Sequence, residues 1–170
     1  MVFGRPVTLR RMLVAIATGT FALAGRPSVS DAQACVAGIS NSCLTVTYSP
    51  VSAIPSASDF ANGVAVLGSF TISVLKCGRT PCQVTLGAQG QPPGGLRLRI
   101  GGAAPTSIAD CPLDVSGVSS PNASQAPVLM QTNGATTFVV WVCRPLSWNP
   151  ATTPIGTTST EMRFLLRQGR

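Results

Sequence analysis

The side chains that carry most enzyme chemistry are scarce in this chain. There is no histidine, which removes the commonest general base, the Ser-His-Asp and Cys-His arrangements, and zinc sites that use imidazole. The carboxylates are Asp31, Asp59, Asp110, Asp114 and Glu161. Asp110 and Asp114 flank Cys111 and Pro112 and lie closest together in sequence. A two-carboxylate hydrolase needs such a pair held at a set separation across a cleft. A hard-cation site needs several converging oxygens, and no D-x-D or EF-hand spacing occurs. The bland chemistry of this spacing is a turn capped by Asp110 and an exposed strand position for Asp114. Segments such as Pro92-Pro93-Gly94-Gly95 lack a P-loop lysine and read as turns. The chain is read as not an enzyme, with no cofactor and no metal.

Sulfur is the other reactive resource. Cys35, Cys43, Cys77, Cys82, Cys111 and Cys143 make an even set, which in a secreted chain reads as three disulfides. Sequence alone cannot choose among the pairings; economy of short loops suggests Cys35–Cys43, Cys77–Cys82 and Cys111–Cys143. Cys77-Gly-Arg-Thr-Pro-Cys82 has four intervening residues rather than the two of a redox C-x-x-C motif, so a structural bridge is expected there.

The secretory context comes from the first residues. Arg5, Arg10 and Arg11 precede the apolar run Met12 to Gly25, and Ala32-Gln33-Ala34 supplies an A-x-A cleavage site directly before Cys35. The run is short for a membrane span. The expected organisation is a signal peptide over 1–34 and a secreted domain over 35–170, with no membrane association once the leader is cut. The whole chain carries a formal charge of +7. Cleavage removes four arginines and one aspartate, leaving eight basic and four acidic residues and a charge of +4. A single lysine, Lys76, and scattered arginines do not make the concentrated basic face of a nucleic-acid binder.

The domain reads as strands throughout. Leu44, Val46 and Tyr48 alternate with threonines, and Phe70, Ile72 and Val74 alternate with Thr71 and Ser73, the period of two of a half-buried sheet. Further strands are expected over 83–87, 96–100, 112–116, 128–131, 137–144 and 161–168. Between them lie loops rich in Pro, Gly, Ser and Asn, including 56–62 and 121–127. No segment after the leader shows a sustained helical period. The fold class is all-β: a single antiparallel Ig-like β-sandwich of about 7–9 strands, stapled by disulfides. Phe138 to Cys143 is apolar on both faces, which predicts a central strand with one face in the core and the other covered by a loop or partner. In the last strand Met162, Phe164 and Leu166 point inward.

The polar pattern of Gly94 to Gly102 offers a ligand stripe or a wet strand face. Leu96, Leu98 and Ile100 account for one face by burial, which leaves Arg97 and Arg99 outward, solvated and protecting an edge strand; contact with an anionic ligand is the alternative. Among the aromatics Tyr48, Trp141 and Trp148, the apolar surroundings of Trp141 make it a core residue. Trp148, in the turn between the last two strands, is either a packed loop anchor or a ligand contact. Asn122-Ala123-Ser124 fits the N-glycosylation pattern.

Leu44-Thr-Val-Thr-Tyr-Ser-Pro-Val51, a loop of small residues, Gly68 to Cys77, and then Cys82-Gln-Val-Thr-Leu-Gly87 resemble the opening of the spore coat protein U-like secreted bacterial β-sandwiches, a family related to the pilins of archaic chaperone–usher fimbriae. Val142 through Leu166 resembles the closing hairpin of related bacterial Ig-like domains. The family often closes on a Gly-x-Tyr turn and an alternating Val/Thr strand, where this chain has Met162-Arg-Phe-Leu-Leu-Arg-Gln-Gly-Arg170. Cys35, directly after the cleavage site, leaves little N-terminal arm to donate. The resemblance implies a non-catalytic secreted structural or surface protein, a subunit of an extracellular coat or fibre whose partners are further copies or other surface subunits. The alternative is a stand-alone module that binds a glycan or a protein, using Trp148, Arg97 and Arg99.

Overall fold

The computed structural model describes residues 15–22, 30–35, 42–51, 55–77, 81–89, 95–115, 127–146 and 159–168. Ten strands are present among them: β1 Ala15–Ala22, β2 Ser30–Cys35, β3 Cys43–Pro50, β4 Val64–Val74, β5 Cys82–Gln89, β6 Arg97–Ile100, β7 Leu113–Asp114, β8 Val128–Thr132, β9 Thr136–Pro145 and β10 Ser159–Gln168. They form two antiparallel sheets, of order β1-β10-β5-β8 and β2-β3-β4-β9-β6-β7. The fold is all-β, and each of the eight strands expected after the leader is present as β3 to β10.

Alternation explains the packing. Leu44, Val46 and Tyr48 of β3, Phe70, Ile72 and Val74 of β4, Val84 and Leu86 of β5, Phe138, Val140 and Val142 of β9, and Met162, Phe164 and Leu166 of β10 share one buried cluster between the sheets. An inward Leu or Phe removed from water contributes roughly 1.5–3 kcal/mol. Phe70 lies at the centre. Its ring centroid is 4.8 Å from Tyr48 and 4.9 Å from Phe164, so three rings cross from one sheet to the other in tilted geometry, a favoured arrangement for aromatic quadrupoles.

The backbone bends to admit Tyr48. The β4–β9 register shifts between Val66 and Gly68, and the extra residue, Leu67, turns its carbonyl to accept from both Val51 N–H (3.1 Å) and Tyr48 O–H (3.2 Å). This bulge brings Gly68 against the phenol. A Cβ there would stand 2.6 Å from Tyr48 Oη and 2.8 Å from Ser49 O.

Four expectations need correction. The 56–62 stretch is not simply loop: Ala57–Asn62 is a short helix, α1, with no buried residue. Capping forms it. Asp59 N–H donates to Ser56 Oγ (3.3 Å), Ser56 N–H donates to Asp59 Oδ2 (2.7 Å), and Gly63 at φ 66° ends the turn. Ile100 is 38% exposed, because β6 stops there and the chain leaves the sheet at Gly101. Arg97 and Arg99 do not guard an edge along the whole of β6, since β7 pairs with Arg97 and Leu98 beyond them. Trp141 is on the outer face of β9 rather than in the main core, beside a second cluster of Val64, Cys111 and Cys143.

Substituting Gly68→Ala tests the bulge. With the backbone on one side and a buried phenol on the other, the added methyl has nowhere to go, and overpacking of this kind costs about 1–3 kcal/mol. Denaturant unfolding of the oxidised protein is expected to show that loss, and an unchanged midpoint would mean that Tyr48 gives way freely.

Candidate functional site

The carboxylate pair is drawn apart in role. Asp110 ends a 3-10 turn over Ile108–Asp110, and its Oδ2 accepts from Thr106 N–H (2.9 Å), Ser107 N–H (3.0 Å) and Thr106 Oγ1–H (3.2 Å). Arg99 Nη1 stands 3.8 Å from the same oxygen. The Thr106 and Ser107 backbone donors, with Arg99 as a lesser cause, hold the Asp110 carboxyl below the usual carboxylate range. A general acid needs the opposite shift, so Asp110 acts here as the organiser of its turn. Asp114 is exposed on β7, its Cα paired with that of Arg97.

The arginine stripe is thus set against aspartates of the chain itself. Arg99 folds back over Gly102, where a Cβ would lie 2.9 Å from its guanidinium, and Trp141 Nε1–H donates to the Gly102 carbonyl (3.3 Å). Arg99 and Trp141 are directly paired across β6 and β9. A cavity of about 390 Å³ opens between β6 and the 3-10 turn, lined by Leu98, Arg99, Ile100, Asp110 and Leu113 together with Ala109 and Pro112. Its two charged side chains already face each other, which leaves little unspent charge for an anionic ligand. The loop from Gly101 to Pro112 covers the outer face of β9, as the two-sided apolar pattern of that strand requires.

Disulfides fall at junctions. Cys77–Cys82 joins the end of β4 in one sheet to the start of β5 in the other. Cys111–Cys143 fastens the 3-10 turn to β9. Cys43 is disulfide-bonded, and its register partner is Cys35. Tyr48 is 7% exposed and belongs to the core, as its alternation with Leu44 and Val46 predicts, and burial pushes its phenol pKa up. Trp148 and Asn122 lie outside the described residues. Among the described residues no group of three or more His, Cys, Asp or Glu is placed to hold a metal ion, and no helix is long and apolar enough to cross a membrane.

The feature that sequence reasoning missed lies at the N-terminal side. Residues assigned to the leader form edge strands in both sheets. All eight residues of β1 pair with β10, from Ala15↔Leu166 to Ala22↔Ser159. Residues Ser30 to Cys35 of β2 pair with β3, from Ser30↔Tyr48 to Cys35↔Cys43. β1 also runs beside β2 and β3, so this one side of the sandwich is closed by residues 15–22 and 30–35. The signal was legible as Ile16, Thr18 and Thr20 alternating with Ala15, Ala17 and Gly19, but an apolar leader and a strand draw on the same residues.

The titratable groups fix a pH response. Asp59, held low by the Ser56 backbone and side-chain bonds, and Asp110 are both depressed in the folded state. Their contribution is present above the unfolded value of about 3.9 and is lost as pH falls through the folded values. Tyr48 is raised, so its contribution is complete below about pH 10 and is lost as pH rises through the folded value. With no histidine, the thermal midpoint is expected to stay level between about pH 5 and 9. Asp110→Asn is expected to flatten the acid limb. A pronounced slope near pH 6.5 would contradict this assignment.

No protein-family model, no curated protein and no solved structure matches this chain, so the roles above rest on geometry and chemistry alone.

Proposed function

We propose that this chain is the precursor of a secreted, non-catalytic structural protein, a subunit of an extracellular coat or fibre that assembles by adding strands to an opened sheet edge. The observation that carries this reading is the pairing of β1 with β10 and of β2 with β3 by residues that precede the A-x-A cleavage site. Cutting after Ala34 removes all of β1 and, apart from Cys35, all of β2. The eight paired positions of β10 and most of the paired length of β3 then lose their neighbours on the same side. Long open edges of this kind are templates for another strand, and an added strand satisfies the backbone while its alternate side chains fill the interior. The disulfides suit an oxidising compartment, and the resemblance to coat and fimbrial sandwiches points to the same role.

The test is the assembly state of the oxidised chain 35–170 after secretion into a periplasm. Unboiled samples on a non-reducing gel are expected to run as a heat-sensitive ladder, with light scattering showing masses above one subunit. A single monomeric band before and after boiling, with monomer mass at every concentration, would overturn the reading.

A further inference from the structure

We infer that the β10 edge is a peptide site selective for an extended strand with Ala or Gly at the three alternate positions paired with Leu166, Phe164 and Met162, and that the chain's own Ala15–Ala22 sequence is such a ligand when supplied in trans. The inference rests on the proposed removal of the leader and adds what the vacated edge would accept. Directly paired residues of an antiparallel ladder share a face. Leu166, Phe164 and Met162 belong to the buried core, and their partners on β1 are Ala15, Ala17 and Gly19. These large core side chains of β10 are thus matched with Ala or Gly of β1. The aromatic bridge gives the reason. Phe164 packs on Phe70 and Phe70 on Tyr48, so aromatic rings from both sheets already fill the interior into which Met162, Phe164 and Leu166 are buried.

The other face follows a different rule. Ile16, Thr18 and Thr20 pair with Leu165, Arg163 and Glu161, and β-branched types there favour the extended backbone. Eight consecutive residue pairs supply main-chain hydrogen bonds of no sequence preference. Selectivity therefore resides in the alternate positions paired with Met162, Phe164 and Leu166. Enlarging one of them inserts methylenes into a filled core, which weakens binding by about tenfold or more.

The test uses the whole folded chain with a protease site placed in 24–29 and cut after oxidative folding, so that β1 is no longer joined covalently to the rest. A dye-labelled peptide of residues 14–23 is added and followed by fluorescence anisotropy, with hydrogen exchange read at 159–166. The native peptide and its Thr18→Leu form are expected to exchange in and protect those amides. The Ala17→Leu form is expected to bind at least about tenfold more weakly. Failure of the native peptide to bind, or equal affinity of Ala17→Leu and Thr18→Leu, overturns the inference. Selective peptide binding without a gel ladder upholds the site and rejects the coat role. A ladder without selective binding does the reverse.

Discussion

Contact between Phe70 and its two aromatic neighbours is the constraint on which the rest of the sandwich turns. Phe70 comes from the six-stranded sheet and Phe164 from the four-stranded one, with their centroids 4.9 Å apart. Their contact sets how closely the sheets approach. Tyr48 extends the row to β3, and its hydroxyl needs a carbonyl because burial without a partner is costly. The Leu67 bulge provides that carbonyl and Gly68 provides the space. An irregular backbone in an otherwise regular strand is thus a consequence of one phenol at the margin of the core.

The disulfides complement this packing. Strand ladders hold neighbours within a sheet, but the crossing from β4 to β5 leaves one sheet for the other, and Cys77–Cys82 spans that crossing. The turn ending at Asp110 has little secondary structure of its own, and Cys111–Cys143 anchors it to β9. Closing that loop stabilises by about 3.7 kcal/mol on the chain-entropy account. These two bridges sit where hydrogen-bond ladders do not reach.

Much of the architecture was legible in the sequence because period-two alternation reports burial directly. Leu44, Val46 and Tyr48, or Met162, Phe164 and Leu166, face inward as their spacing dictates. Asp110 was legible as a turn cap, since short acidic side chains bond nearby backbone N–H groups. What escaped were features set by partners distant in sequence. Trp141 has apolar neighbours in sequence, yet its place on the outer face follows from the register with Arg99 and from the Gly102 carbonyl. Ile100 fits the alternation, but the strand ends too soon to bury it. The helix after Ser56 is too brief for any period to appear, and only its S-x-x-D cap announced it. Composition could not separate leader from strand over Ala15–Ala22, because an apolar leader and a strand draw on the same residues.

The pairing of β1 with β10 has a geometric corollary. A strand moved along an edge by one residue turns its faces over, so lateral displacement proceeds in double steps of about 7 Å. A double step one way sets Phe21 against Met162; the opposite step sets Leu13 against Leu166. The run Ala15, Ala17, Gly19 is therefore bounded at each end by a bulky residue of the same parity. The segment behaves as a key with a shoulder on either side, stopped in both directions at a single alignment.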